Sequence, residues 1–126
     1  MSKSVVYSEN APAPIGPYSQ AIQAGNLLFV SGQIALQKST GNFVVGNIKD
    51  ETSQVMANLS EVLKAAGMDF TNVVKCSIFL KDMNDFPQVN EIYARNFPQN
   101  PPARETVEVS RLPKDANVEI SCIAVK

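Results

Sequence analysis

Histidine is absent from the 126-residue sequence. Its absence removes Ser-His-Asp and Cys-His nucleophilic mechanisms, together with zinc and non-haem iron sites built on imidazole. Cysteine is nearly absent as well: Cys76 and Cys122 stand far apart, too few for a structural zinc cage. Each lies in an apolar, strand-like run, so both are expected to be buried free thiols that pack as small hydrophobes in a reducing compartment. An excess of either charge is missing too. Eleven basic and twelve acidic side chains leave a net charge of −1 with no dense Lys/Arg run, which argues against a nucleic-acid groove held by bulk charge. No apolar stretch approaches the roughly 18–20 residues that span a bilayer, and residues 1–6 lack the apolar core of a signal peptide. A cytoplasmic protein with no membrane partner is therefore expected. Whatever chemistry the chain performs falls to arginine, lysine, carboxylates, tyrosine, hydroxyls, backbone groups and water.

The length is that of a single domain, residues 1–126, and 44% hydrophobic with 18% charged residues is an ordinary globular balance. Prolines 12, 14 and 17 stiffen a loop between short strands. Residues 20–23 and 27–31 read as a hairpin around Ala24-Gly25-Asn26, and residues 43–45 as a short extended piece. Val55, Met56, Leu59, Val62, Leu63 and Ala66 fall at helical spacing. They predict a helix over 50–66, with Asp50 and Glu51 at its start and Gly67 as its stop. Residues 73–80 predict a strand with Val74, Cys76, Ile78 and Leu80 on one face. A second helix is expected after Asp85 as cap, burying Phe86, Val89, Ile92, Tyr93 and Phe97. Strands at 106–110 and 118–125 close the chain.

This order predicts an α+β fold with a helical crossover between strands and both helices on one face of the sheet. The last strand carries apolar residues on both faces: Val118, Ile120, Cys122 and Ala124 on one, Ile123 and Val125 on the other beside Glu119 and Ser121. Two helices cover one face, so the second is expected to be covered by other copies of the chain.

Four places offer chemistry. Pro101-Pro102-Ala103-Arg104 puts an arginine behind a stiff approach, where its planar fork suits a carboxylate. Glu119, Tyr18 and Ser31-Gly32 are the others. Taken singly, each has a plainer reading: a surface arginine, a solvated strand glutamate, a packing tyrosine with a wet hydroxyl and an ordinary turn.

Together they fall within a longer pattern. Glu9-Asn10-Ala11-Pro12, Ile15 to Gln20, Ser31-Gly32-Gln33-Ile34, Phe79 to Phe86 and Val89-Asn90 occur in one order. Pro102-Ala103-Arg104, Val107-Glu108-Val109, Arg111 to Asp115 and Val118-Glu119-Ile120 follow. Along almost its whole length the chain resembles the RidA (YjgF) family of reactive-intermediate deaminases. The resemblance implies a chorismate-mutase-like fold, a mixed six-stranded sheet with two helices on one face. It implies a homotrimer with its sites in the clefts between subunits, and hydrolysis of 2-imino acids such as 2-iminobutanoate and 2-iminopropanoate to 2-keto acids and ammonia. The imines arise from enamines such as 2-aminoacrylate that dehydratases release.

Residue by residue, the resemblance implies that Arg104 binds the substrate carboxylate and that Glu119 and Tyr18 complete the catalytic set. Ser31, Gly32, Asn90 and Thr106 would line the pocket. No metal and no organic cofactor is implied, since an imine is already an electrophile. The chain departs from the family pattern at Glu105, where a small residue is usual, at Ser121, in place of a second acid, and at Thr106, where cysteine is frequent. Strand alternation is expected to turn Glu105 away from Arg104, unless a bulge intervenes. A carboxylate-binding regulatory or chaperone-like protein without turnover is the alternative reading.

Overall fold

The computed structural model describes residues 2–44 and 46–126, so the Val45 end of the expected extended piece lies outside it. Next to it, Leu36 and Phe43 form an isolated antiparallel bridge. The chain runs β1 (Lys3–Val6), β2 (Ala21–Ala24), β3 (Leu27–Gln33), α1 (Ile48–Ala65), β4 (Val73–Leu80), α2 (Phe86–Arg95), β5 (Ala103–Glu108) and β6 (Val118–Val125). The six strands form one sheet in the order β1-β2-β3-β6-β4-β5. Among the described residues only β4 and β5 pair in parallel, and α2 is the crossover between them. The mixed α+β sheet expected from the sequence is present.

Local chemistry explains where the elements begin and end. The β2–β3 hairpin pairs Ala24 with Leu27, leaving a two-residue turn in which Gly25 takes φ +61°. Glycine at the first position supplies the left-handed conformation that tight hairpins favour. Helix α1 starts at Ile48, two residues before the predicted boundary, because Asn47 caps it by accepting from the Asp50 amide at 2.8 Å. Glu51 stands in the first turn with Asp50, as predicted, and does more than face the dipole. It is buried, and its carboxylate accepts from the Asn117 amide and side chain, both at 2.8 Å, tying α1 to the entry of β6. Asp85 precedes α2 but makes no side-chain cap bond.

Strand β6 alternates strictly between buried and half-buried positions, as its apolar spacing predicts. Strand β4 does not. An irregularity between Val73 and Lys75 puts Val73 in the core and leaves Val74 44% exposed. The predicted Val74 face is therefore wrong at that position, because a bulge inverts alternation. Strand β5 begins at Ala103, not Thr106, since Arg104 and Glu105 already pair with Cys76 and Ser77.

Val55, Leu59, Val62 and Leu63 of α1 pack with Val89 and Tyr93 of α2 over Leu28, Cys76, Ile78, Val118, Ile120 and Cys122 of the sheet. Cys76 and Cys122 are buried free thiols in direct cross-strand register. Neither α1 nor α2 covers the far face, and Leu27, Phe29 and Val107 stand 37%, 44% and 40% exposed on it. No helix among the described residues is long and apolar enough to cross a membrane.

Candidate functional site

Arg104 sits on the edge strand β5, opposite Cys76, so its side chain leaves the sheet on the helix-covered side. There Nη1 donates to the Asn90 side-chain oxygen at 2.8 Å. The guanidinium carbon lies 4.9 Å from the Tyr93 ring centroid and 5.4 Å from that of Phe86, within cation–π range of both. Among the described residues no carboxylate forms an ion pair with Arg104. Thr106 leaves β5 on the same side, opposite Ile78, and its buried hydroxyl lacks a hydrogen-bond partner.

Glu105 turns the other way. Its carboxylate pairs with Lys75 Nζ at 2.8 Å and accepts from the Ser77 hydroxyl, and these contacts hold it below the usual carboxylate range. The β4–β5 register is unbroken from Lys75–Ala103 to Leu80–Glu108. No bulge brings Glu105 back to Arg104, and the family departure at this position leaves the guanidinium uncontested.

Tyr18, Ser31, Gly32 and Glu119 gather in a separate cavity of about 480 Å³, lined also by apolar side chains including Ile15, Leu36 and Pro113. Glu119 lies half-buried on the sheet face opposite the core. Desolvation there raises its pKa, since burial disfavours the charged form. The carboxyl rests against β3 where Gly32 leaves room: a Cβ added at Gly32 would lie 2.7 Å from Glu119 Cδ. Gly32 falls in the irregularity between Val30 and Gln33 of the β3–β6 ladder. Ser31 donates its hydroxyl to the Ser19 carbonyl at 2.6 Å and its amide to the Gln20 carbonyl at 2.9 Å. That leaves its side-chain oxygen as an acceptor toward the cavity. Tyr18 is 48% exposed, its hydroxyl 3.4 Å from the Ile15 amide.

The predicted site residues thus form two groups. Arg104, Asn90 and Thr106 lie together between β5 and α2; Tyr18, Ser31, Gly32 and Glu119 share the cavity. Strands β5 and β6 are separated by β4, roughly 9–10 Å at ordinary strand spacing, and Arg104 and Glu119 leave opposite faces. Within one chain they do not meet on a small ligand.

Three residues escaped the sequence reading. Gln20 is buried, accepts from the Ser8 amide at 2.6 Å, and donates to the carbonyls of Ser8 and Pro12 at 3.1 and 2.9 Å. It thereby fixes the cavity wall; its signals were its place at the end of the Ile15 to Gln20 stretch and its polarity at the start of an apolar strand. Phe86 and Tyr93 read as core residues, and their second contact, with Arg104, crosses between elements. Cys76 lies beside the Tyr93 hydroxyl, and neither thiol lines the cavity. Burial raises the Cys76 pKa and pushes that of Cys122 up to about 12, so neither has thiolate character. Among the described residues no three His, Cys, Asp or Glu side chains cluster as a metal site would require.

These features define a small α+β protein with an aromatic-lined cation seat at a sheet edge and a half-buried acid in a cleft. The chain belongs to the family described as Endoribonuclease L-PSP, which includes the YjgF and Rid proteins; the family model matches residues 8–126. A RutC family protein of Pyrococcus horikoshii is 56% identical over 124 residues, covering 98% of each chain. The 2-iminobutanoate/2-iminopropanoate deaminase of Mus musculus is 48% identical over 124 residues, covering 98% of this chain and 92% of the mouse protein. Among solved structures, a Rid-family protein of Yersinia pestis superposes with a TM-score of 0.96 at 48% identity, covering 99% of this chain and all of that one.

Proposed function

We propose that the protein hydrolyses small 2-imino acids, such as 2-iminobutanoate and 2-iminopropanoate, to 2-keto acids and ammonia. The site would lie between two subunits of a homotrimer. The observation that carries the reading is the complementary pair of half-sites: an arginine with no carboxylate partner on one face, and a carboxyl with a raised pKa on the other. The mouse deaminase, similar over nearly the whole chain, supports the same reaction. Arg104 of one subunit binds the substrate carboxylate with the free side of its fork and holds the imine carbon toward the neighbouring subunit's cavity. Glu119 there orients a water and takes its proton as the oxygen adds to the C=N carbon. It passes that proton to nitrogen to give the carbinolamine, then relays the carbinolamine's hydroxyl proton to nitrogen as the C–N bond breaks and the C=O bond forms, so imine and water give keto acid and ammonia. Tyr18 and the Ser31 oxygen bound the position of the water. Positioning and proton transfer suffice for so reactive an electrophile. The near-neutral charge and the lack of histidine count against an RNA-cleaving role.

The test couples a threonine dehydratase to this protein and follows ketobutyrate formation while semicarbazide competes for the imine. Wild type accelerates keto-acid release and Arg104→Ala does not. Equal rates with and without the protein would end the deaminase reading.

A further inference from the structure

Arginine on an edge strand is ordinarily a mobile side chain, and β5 has no strand beyond it to brace one. Here three residues of α2 converge on the guanidinium: Phe86, Asn90 and Tyr93. Their spacing of four and then three residues places them on one helical stripe. Phe86 and Tyr93 present their ring faces, and Asn90 accepts one N–H. Tyr93 is 4% exposed, and its hydroxyl has only the weakly hydrogen-bonding Cys76 thiol beside it. What this position offers Arg104 is therefore the aromatic ring and not the hydroxyl. A desolvated ring strengthens a cation–π contact. Two rings and an amide oxygen also define the plane of the fork while supplying no negative charge to compete with an incoming anion.

We infer that the Phe86–Asn90–Tyr93 stripe of α2 is a positioning cradle that fixes the Arg104 guanidinium in its carboxylate-binding orientation. Phe86 and Tyr93 are then positioning residues for substrate affinity, acting through Arg104 without touching the reacting atoms. The inference rests on the deaminase reading for its substrate, but the cradle itself can be tested by anion binding alone.

The experiment measures the Kd of 2-ketobutyrate by calorimetry, alongside KM and kcat in the dehydratase-coupled assay, for Tyr93→Leu, Tyr93→Phe and Phe86→Leu. Tyr93→Leu is expected to raise both Kd and KM about tenfold while kcat changes much less. Tyr93→Phe, which keeps the ring, should restore both constants close to wild type. Should Tyr93→Leu fail to fold, Phe86→Leu carries the same expectation from a less buried position. A folded Tyr93→Leu or Phe86→Leu protein with wild-type Kd overturns the cradle, as does a Tyr93→Phe protein as weak as Tyr93→Leu. Wild type that binds 2-ketobutyrate without hydrolysing imine defeats the deaminase reading and leaves the cradle to be judged on Kd. Wild type that binds no 2-ketobutyrate defeats both.

Discussion

Glu119 is the residue on which chemistry and stability pull in opposite directions. Its pKa is raised by desolvation, and it must be ionised to orient water and take a proton. Activity is therefore lost as pH falls through the raised value. The acid limb of the kcat/KM profile should lie above the ordinary 4.5, and Glu119→Gln should lower kcat by about 10²-fold. For folding the sign is reversed. Between the unfolded and the higher folded pKa the native state binds more protons, so stability falls as pH rises across that window. Glu119→Gln should consequently melt at or above the wild-type temperature at pH 7, measured by calorimetry; a clear fall would show that the carboxylate is stabilised by contacts of its own. Gly32 is the companion of Glu119. Gly32→Ala places a methyl against the carboxyl and should cut kcat while leaving the 2-ketobutyrate Kd, which belongs to Arg104, nearly unchanged.

At the scale of elements, helix α1 is fastened at its start by two residues that play different parts. Asn47 is an exposed cap, and Asn47→Ala should cost about 1 kcal/mol in urea unfolding. Glu51 is buried and holds the Asn117 backbone and side chain. Glu51→Ala strips two charge-assisted bonds and should cost about 2–3 kcal/mol, well beyond the cap. Similar losses for the two would contradict the burial argument. The helices themselves were legible because their apolar stripes repeat every three or four residues. Glu51 was not, since its partner lies 66 positions away, and nothing local separates a buried acid from a dipole partner. The same limit hid the Val74 bulge, for only pairing with β6 reveals it.

At the scale of the molecule, the uncovered sheet face and the divided site make one prediction. The protein should have a solution mass of three times its 13.7 kDa chain, and Phe29→Glu on the exposed face should abolish both association and activity. A sharper measurement mixes two inactive variants. Arg104→Ala and Glu119→Gln subunits, unfolded and refolded together, should recover about a quarter of wild-type activity, because a quarter of randomly formed interfaces join an intact arginine to an intact glutamate. Recovery no greater than the sum of the separate variants would place both residues in one subunit's site and sink the shared-site proposal.

The absence of histidine and the scarcity of cysteine alone limited the repertoire to arginine, lysine, carboxylates, tyrosine, hydroxyls, backbone groups and water. The amino-acid order set the two helical stripes, the two-sided apolar β6 and the alternation that turns Glu105 from Arg104. All of these follow from composition or from periods of two and 3.6 residues, which a chain carries locally. Folding alone sent Arg104 and Glu119 to opposite faces, seated the Glu119 carboxyl against Gly32 and laid Arg104 on Phe86 and Tyr93. Each of these depends on strand order, register or a bulge, and those are fixed by which distant segments pair.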